Sequence, residues 1–242
     1  MKYKFGKTVV IALGGSIIYP DQIDVLFLKQ FREFILKRLK RSSPSEGRGS
    51  PRRGGRFVIV AGGGRIARVY QEAASKIAKI TDDDKDWLGI HATRANAHLL
   101  RTVFRDVADA VVIDERYKIK KLRHPVTIGA GWRPGQSTDH SAVALAVDFK
   151  IPDVIIAGRP SFVYDKDHQK YANAKPLPEL SWSAYQRLIP RKWKPGLHTP
   201  VDPVAAKLAE QKKIKAIIVN GKDLKNFSNL LSGKDFKGTL IN

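Results

Sequence analysis

Apolar positions along the chain fall into short unbroken runs that alternate with longer, helically spaced segments. Phe57–Val60 (FVIV) is the central run, four apolar residues that read as a parallel strand buried on both faces. Ala61 and three glycines follow, and then Ile66, Val69, Tyr70, Ala73, Ala74 and Ile77 recur at three- and four-residue steps, which predicts an amphipathic helix. Thr8–Leu13 (TVVIAL) reads as a first strand running into Gly14, Gly15 and Ser16. Asp24 is placed to cap a helix whose Phe27, Phe31, Phe34, Ile35 and Leu39 share one face. The acidic run Asp82–Asp86 is expected to cap a helix from about Trp87 to Phe104, with Leu99, Leu100, Val103 and Phe104 turned inward. Further strands are expected at Ala110–Ile113, Val126–Ile128, Val154–Ala157 and Ile214–Val219, with Gly238–Ile241 as a final edge strand. Asp202 and Pro203 form an N-cap and first-turn pair, and Asp223 opens a short helix.

Strands alternating with helices predict an α/β fold, one domain over residues 1–242, with a mainly parallel sheet covered on both faces. Such sheets bind ligands at the carboxyl ends of their strands. Three glycine-bearing turns fall there: Gly14–Ser16, Gly62–Gly64 and Gly129–Thr138 (GAGWRPGQST). A strand, glycine turn and helix in succession aim free backbone N–H groups and a positive helix end at an anion, and a Cβ would hold a phosphate away. Arg65 and Arg68, three residues apart, reach the same side of the second turn. Three such turns with arginines beside them imply a ligand, or a pair of ligands, carrying several phosphates. The second turn is neither a dinucleotide fingerprint nor a P-loop. Asp139, at the start of an Ala/Val helix, reads on its own as an N-cap.

Composition changes the picture in three respects. Forty-four Lys+Arg against 23 Asp+Glu give a net charge of +21, which favours polyanionic partners, nucleotides or nucleic acid. The stretch Arg41–Gly55 (RSSPSEGRGSPRRGG) reads as a flexible basic loop and a connector, because it has no aromatic to stack on a base. A second basic, proline-broken loop spans Arg187–Pro200. No apolar run approaches the roughly 18 residues of a membrane span, and the absence of cysteine fits a reducing, cytoplasmic setting without disulfides or thiolate metal sites. His91, His98, His124 and His198 lack ligand-like spacing, so no metal is assigned to protein ligands.

The order GGS, GGGRIAR, KDWLGIHATRANAHLL, PGQSTDHSAVALA, VDPVAAKLA resembles the amino acid kinase superfamily, and within it the archaeal-type uridylate (UMP) kinases. The segment Thr93–Ala97 (TRANA) is especially telling, because periodicity alone does not require it. The resemblance implies a three-layer αβα sandwich, ATP as donor, Mg²⁺ as companion, UMP as acceptor and a homo-oligomer, usually a hexamer. By position, it puts Ala12, Leu13, Gly14, Gly15, Ser16 and Gly64 against the ATP phosphates, with Arg68 also facing ATP. Gly63 and Asp86 fall at UMP, and Trp132, Arg133, Pro134, Gly135, Gln136, Ser137 and Thr138 around its phosphate. Asp139 would organise catalysis together with Arg68. Tyr164 and Asp167 align with the adenosine side.

Three departures stand out. Many superfamily members carry a lysine two residues before the first glycine pair. This chain has Ala12 there, as the archaeal uridylate group also lacks that lysine, and Lys7 lies too far along the strand at about 3.3 Å per residue. The run expected as T-N-V-D-G-V-Y reads GRPSFVY over Gly158–Tyr164, with Arg159 as a candidate source of charge. Gln136 stands where a histidine is usual. Other readings of the chain are a kinase with a different phosphate or carboxylate acceptor, a non-catalytic nucleotide-binding relative, and a nucleic-acid binder drawn by charge.

Overall fold

The computed structural model describes residues 1–41, 55–197 and 199–242. The first half of the chain runs β1 (Thr8–Leu13), α1 (Gly15–Ile18), α2 (Val25–Arg41), β2 (Arg56–Ala61), α3 (Gly64–Ile77), α4 (Asp82–Val103) and β3 (Val126–Gly129). The second half runs α5 (Thr138–Asp148), β4 (Asp153–Gly158), β5 (Val163–Tyr164), β6 (Pro176–Leu177), β7 (Glu179–Leu180) and α6 (Trp182–Leu188). It closes with α7 (Pro203–Lys212), β8 (Lys215–Asn220), α8 (Leu224–Leu231) and β9 (Thr239–Ile241).

Seven strands form one sheet in the order β3-β2-β1-β4-β8-β9-β7, and β5 with β6 makes a small hairpin beside it. The five strands from β3 to β8 are parallel and in register, so Leu13 pairs with both Ala61 and Ala157, Val60 with Gly129, and Gly158 with Asn220. Every turn leaving these strands therefore opens on the same edge of the sheet.

Alternation along the strands divides the core in two. Ile11, Leu13, Ile59 and Ala61 face a cluster closed by Phe31 and Ile35 of α2, Leu100 of α4 and Phe227 of α8. Val10, Ala12, Val58 and Val60 face Ala142 and Leu145 of α5, Trp182 and Tyr185 of α6, and Ala205 and Ala209 of α7. The result is a three-layer αβα sandwich whose β-branched side chains are buried on both faces, each contributing about 1.5–3 kcal/mol. Among the described residues no helix is long and apolar enough to cross a membrane.

Several expectations are corrected. α4 begins at Asp82, because Thr81 and Asp84 form a reciprocal capping box; the acids lie inside its first turn, where they complement the helix dipole. Ala110–Ile113 is no strand: this part of the chain touches β3 only through bridges at Ala108 and Ile113, and Val111 is exposed. β9 is not the sheet edge, since the two-residue β7 pairs outside it. Arg187 and Leu188, assigned to the second basic loop, complete α6. The first basic loop lies outside the described residues except for Arg41, the last residue of α2, and Gly55. On α3 the apolar stripe faces outward, with Val69 47%, Tyr70 58% and Ile77 85% exposed, next to Trp87 of α4 at 43%.

Candidate functional site

The first two glycine turns pack backbone against backbone. Gly62 N–H donates to Leu13 C=O at 2.9 Å. A Cβ on Gly15 would lie 1.9 Å from Gly64 N, and one on Gly62 would lie 2.2 Å from Gly15 N. Gly64 adopts φ +74°, which side chains rarely tolerate. Helix α4 then ties the second turn to the third. Buried Asn96 donates from Nδ2 to the carbonyls of Gly62 (2.8 Å) and Gly63 (3.0 Å). Thr93 Oγ1 accepts from Gly131 N–H at 2.9 Å while donating to Ile90 C=O at 2.7 Å. Both clamps belong to Thr93–Ala97. α3 itself starts on Gly63 with no side-chain cap and no acid in its first turn; Arg65 N–H donates to Tyr19 C=O at 2.9 Å, and the positive helix end faces no carboxylate of its own first turn.

Two cavities open on this edge. The first, about 440 Å³, is bounded by Gly15, Gly63, Gly64, Arg68, Asp86 and the Gln136–Thr138 segment. Trp193 and Gly196, on the chain after α6, complete its wall. Asp86 Oδ2 knits this wall together, accepting from Gly135 N–H at 2.7 Å and Trp193 Nε1–H at 3.1 Å. The second cavity, about 610 Å³, is bounded by Ala12, Gly14, Asp139, Tyr164, Asp167 and Thr199. Tyr164 stacks on His168 there, with ring centres 4.4 Å apart. Among the described residues only Ser16 and Arg159 line both cavities.

Other predicted positions sit apart from the open space. Leu13 is buried in the core, and Trp132 packs against the α5–α7 cluster. Arg133 is exposed and Pro134 lies outside both linings. With its amide oriented to match its neighbours, Gln136 accepts from Arg133 Nε (3.0 Å) and Nη2 (2.9 Å) and donates to His140 Nδ1 (3.0 Å). That role suits a neutral His140, whose pKa is held below the usual value by burial and further by Arg133 and Arg116. Sequence reasoning gave no role to Trp193 or Thr199. The indole in a basic loop was the available signal for the first, and nothing local marked the second.

Asp139 is not the N-cap of α5. Ser137 is, its Oγ accepting from Asp139 N–H at 2.9 Å and donating to Asp202 Oδ2. Asp202 in turn caps α7, accepting from Val204 N–H (2.7 Å) and Ala205 N–H (3.0 Å). Asp139 borders the second cavity but is otherwise ringed by protein. Burial, and then the Asp202 charge, push its carboxyl well above the usual carboxylate range. Among the described residues no cation pairs with it. Arg68 sits below the usual arginine value, through burial first and then repulsion from Arg159 and Arg65. Positive charge is thus gathered at the glycine turns, and the Asp139 carboxylate, with no cation pairing it among the described residues, borders the neighbouring cavity.

A parallel sheet with glycine turns, guanidinium groups and paired cavities at its carboxyl edge defines a phosphate-handling α/β protein. The chain belongs to the amino acid kinase family, whose sequence profile matches residues 7–220. It is 32% identical over 237 residues to a uridylate kinase of Thermococcus sibiricus, covering 96% of this chain and 98% of the relative. A uridylate kinase of Sulfolobus acidocaldarius is 32% identical over 192 residues, 78% of this chain and 84% of the relative. Among solved structures, a uridylate kinase from Archaeoglobus fulgidus superposes over 100% of both chains with a TM-score of 0.78 and 27% identity. A UMP kinase from Bacillus anthracis shares the fold, with a TM-score of 0.73 at 19% identity over 98% of this chain and 96% of that one.

Proposed function

We propose that the protein is a uridylate kinase that transfers the γ-phosphoryl group of ATP to UMP, giving UDP and ADP. The observation that carries this reading is the pair of cavities meeting at the glycine corners. One, walled by Asp86 and the Gln136–Thr138 segment, receives UMP, and Gly15, Gly64 and Arg68, expected at the ATP phosphates, line this same cavity and not the other. The other, with Tyr164 and Asp167 at its far side, receives ATP. The extent of the match to uridylate kinases supports the same substrates.

A nucleoside monophosphate has a second phosphate pKa near 6, so its attacking oxygen is already mostly anionic at neutral pH and needs no general base. The barrier lies in bringing the anions together. Each pair of unit charges about 4 Å apart, at an effective dielectric of about 20, opposes the approach by roughly 4 kcal/mol. Backbone N–H groups and arginines held in place before the substrates arrive answer that repulsion at no reorganisation cost. Mg²⁺ would neutralise phosphate charge and needs only one or two carboxylates beside the phosphates. Asp139 fits that need. It borders the donor cavity, no cation pairs with it among the described residues, and burial and the Asp202 charge oppose its ionisation.

We further propose a homo-oligomer, with a hexamer as the expected size, that works in the cytoplasm. Val69, Tyr70 and Ile77 on α3, with Trp87 on α4, form an outward apolar stripe that a second copy of this chain would cover. Light scattering of the purified protein tests this; a monomer at micromolar concentration contradicts it. The substrate assignment is tested by incubating the protein with ATP, Mg²⁺ and each nucleoside monophosphate. UDP from UMP is expected, and turnover of another acceptor with none from UMP overturns the assignment.

A further inference from the structure

Phosphoryl transfer needs positive charge at the point the group crosses, because the migrating oxygens belong to the donor at the start and to the acceptor at the end. In this chain that point is the junction between the two cavities, lined on both sides by Ser16 and Arg159. Ser16 is neutral, and Ala12, on the strand leading in, offers no charge. Arg159 is exposed, and among the described residues it makes no ion pair. Its backbone leaves the end of β4, where it is pinned on both sides. Gly14 N–H donates to Ala157 C=O at 2.9 Å, and Gly221 N–H donates to Gly158 C=O at 2.8 Å. Arg68 lines the acceptor cavity with Arg159, and its pKa is lowered by burial first and then by the Arg159 and Arg65 charges, which outweigh the opposing pull of Glu72 and Asp21. An exposed guanidinium at the junction, with a second one on the wall of the acceptor cavity, is a site prepared for an anion.

We propose that Arg159 is a catalytic residue whose guanidinium contacts the γ-phosphoryl group as it passes between the cavities. This rests on the uridylate kinase reading. A UMP phosphate oxygen attacks the γ-phosphorus, one P–O bond forms, and the bond to the β,γ-bridging oxygen breaks. The electron pair stays on the ADP leaving group. UMP²⁻ and ATP⁴⁻ become UDP³⁻ and ADP³⁻, with no proton gained or lost. A planar guanidinium with several fixed donors can keep one contact on each side of that change, which a neutral hydroxyl cannot.

The test compares wild type, Arg159→Ala and Arg159→Lys in UDP formation, with ATP and UMP each titrated in thermal-shift assays. Arg159→Ala is expected to lower kcat about 10²- to 10³-fold, with KM for UMP and both ligand-induced shifts nearly unchanged. Guanidinium ion added to Arg159→Ala should restore at least about a tenth of the loss, and Arg159→Lys should fall between the two. Arg159→Ala with kcat within about threefold of wild type, or with its loss confined to KM for ATP, overturns the proposal. A wild-type chain that makes no UDP overturns the substrate reading itself, and this proposal with it. That result is read before any variant is assayed.

Discussion

Gly15→Ala probes the contact on which the site is built. The new Cβ would meet Gly64 N at 1.9 Å, Gly63 N at 2.6 Å and Gly62 C at 2.7 Å, all of them backbone atoms. Ordinary contact begins near 3.4 Å, so 3.4 Å less 1.9 Å leaves about 1.5 Å by which one turn must retreat from the other. No side chain can swing away to absorb it, and Asn96 anchors the second turn from behind. Overpacking of this kind costs about 1–3 kcal/mol. At about 2–4 °C per kcal/mol for a chain of this size, the melting temperature should fall by roughly 2–12 °C. The functional loss should be larger, since a displacement of about 1 Å between reacting groups costs on the order of 10²-fold. Calorimetry and a coupled assay of ADP release with UMP present measure the two effects. Gly6→Ala is the control, because its Cβ meets nothing within 4 Å. If Gly15→Ala matches wild type within about twofold in kcat/KM, with its melting point intact, the two turns do not form the phosphate site.

Three further outcomes follow from the same structure. Asp139→Asn should lower turnover about 10²-fold or more without destabilising the ligand-free protein. Because the folded-state pKa of Asp139 is raised, its ionisation opposes folding as pH rises from the usual carboxylate range through that folded value, so the Asn variant should gain on wild type over that interval and match it in acid. Melting curves from pH 4 to pH 8 check this, and an Asn variant less stable throughout would make Asp139 a structural acid. Asn96→Ala leaves the Gly62 and Gly63 carbonyls without their donor and should cost about 1–3 kcal/mol, together with activity; unchanged urea denaturation would remove Asn96 from the clamp. Asp153, raised to about 6 mainly by burial, accepts from Tyr3 Oη at 3.1 Å. Its ionisation withdraws stability as pH climbs through about 6, and Tyr3→Phe, which removes a donor to the charged form, should destabilise more at pH 8 than at pH 5. Equal losses at both pH values would refute that pairing.

What could be read from the chain depended on how local the cause was. β1 carries the predicted bounds and β2, β4 and β8 run close to theirs, because β-branched runs bounded by glycine leave few alternatives. Periodicity found α3 but not the direction of its stripe: Val69, Tyr70 and Ile77 repeat as a core face does, yet point to solvent, and spacing cannot say which partner covers a face. Ala110–Ile113 has strand composition without a ladder, since only the sheet decides which apolar run is admitted. The two-residue β7 is too short to leave a pattern at all. At the site, the glycine turns were legible at the ends of their strands, while the backbone contact between the first two was not. Thr93 and Asn96 stood out only by resemblance, because they bond to backbone more than 30 residues away in the chain. Asp139 reads as a cap from its local sequence alone for a similar reason, while the resemblance gives it a part in catalysis. Ser137 caps α5 and donates its own proton to Asp202, 65 residues on, while Asp139 borders the cavity.

The central claim is that two nucleotides meet end to end at the glycine corners. A crystal structure of the protein with UMP and a non-hydrolysable ATP analogue tests it most directly. The account expects the γ-phosphorus and a UMP phosphate oxygen within about 3–3.5 Å of each other, beside Ser16, with the uridine toward Asp86 and the adenosine toward Tyr164. Nucleotides bound away from these turns, or phosphates held apart by the chain between them, would contradict it.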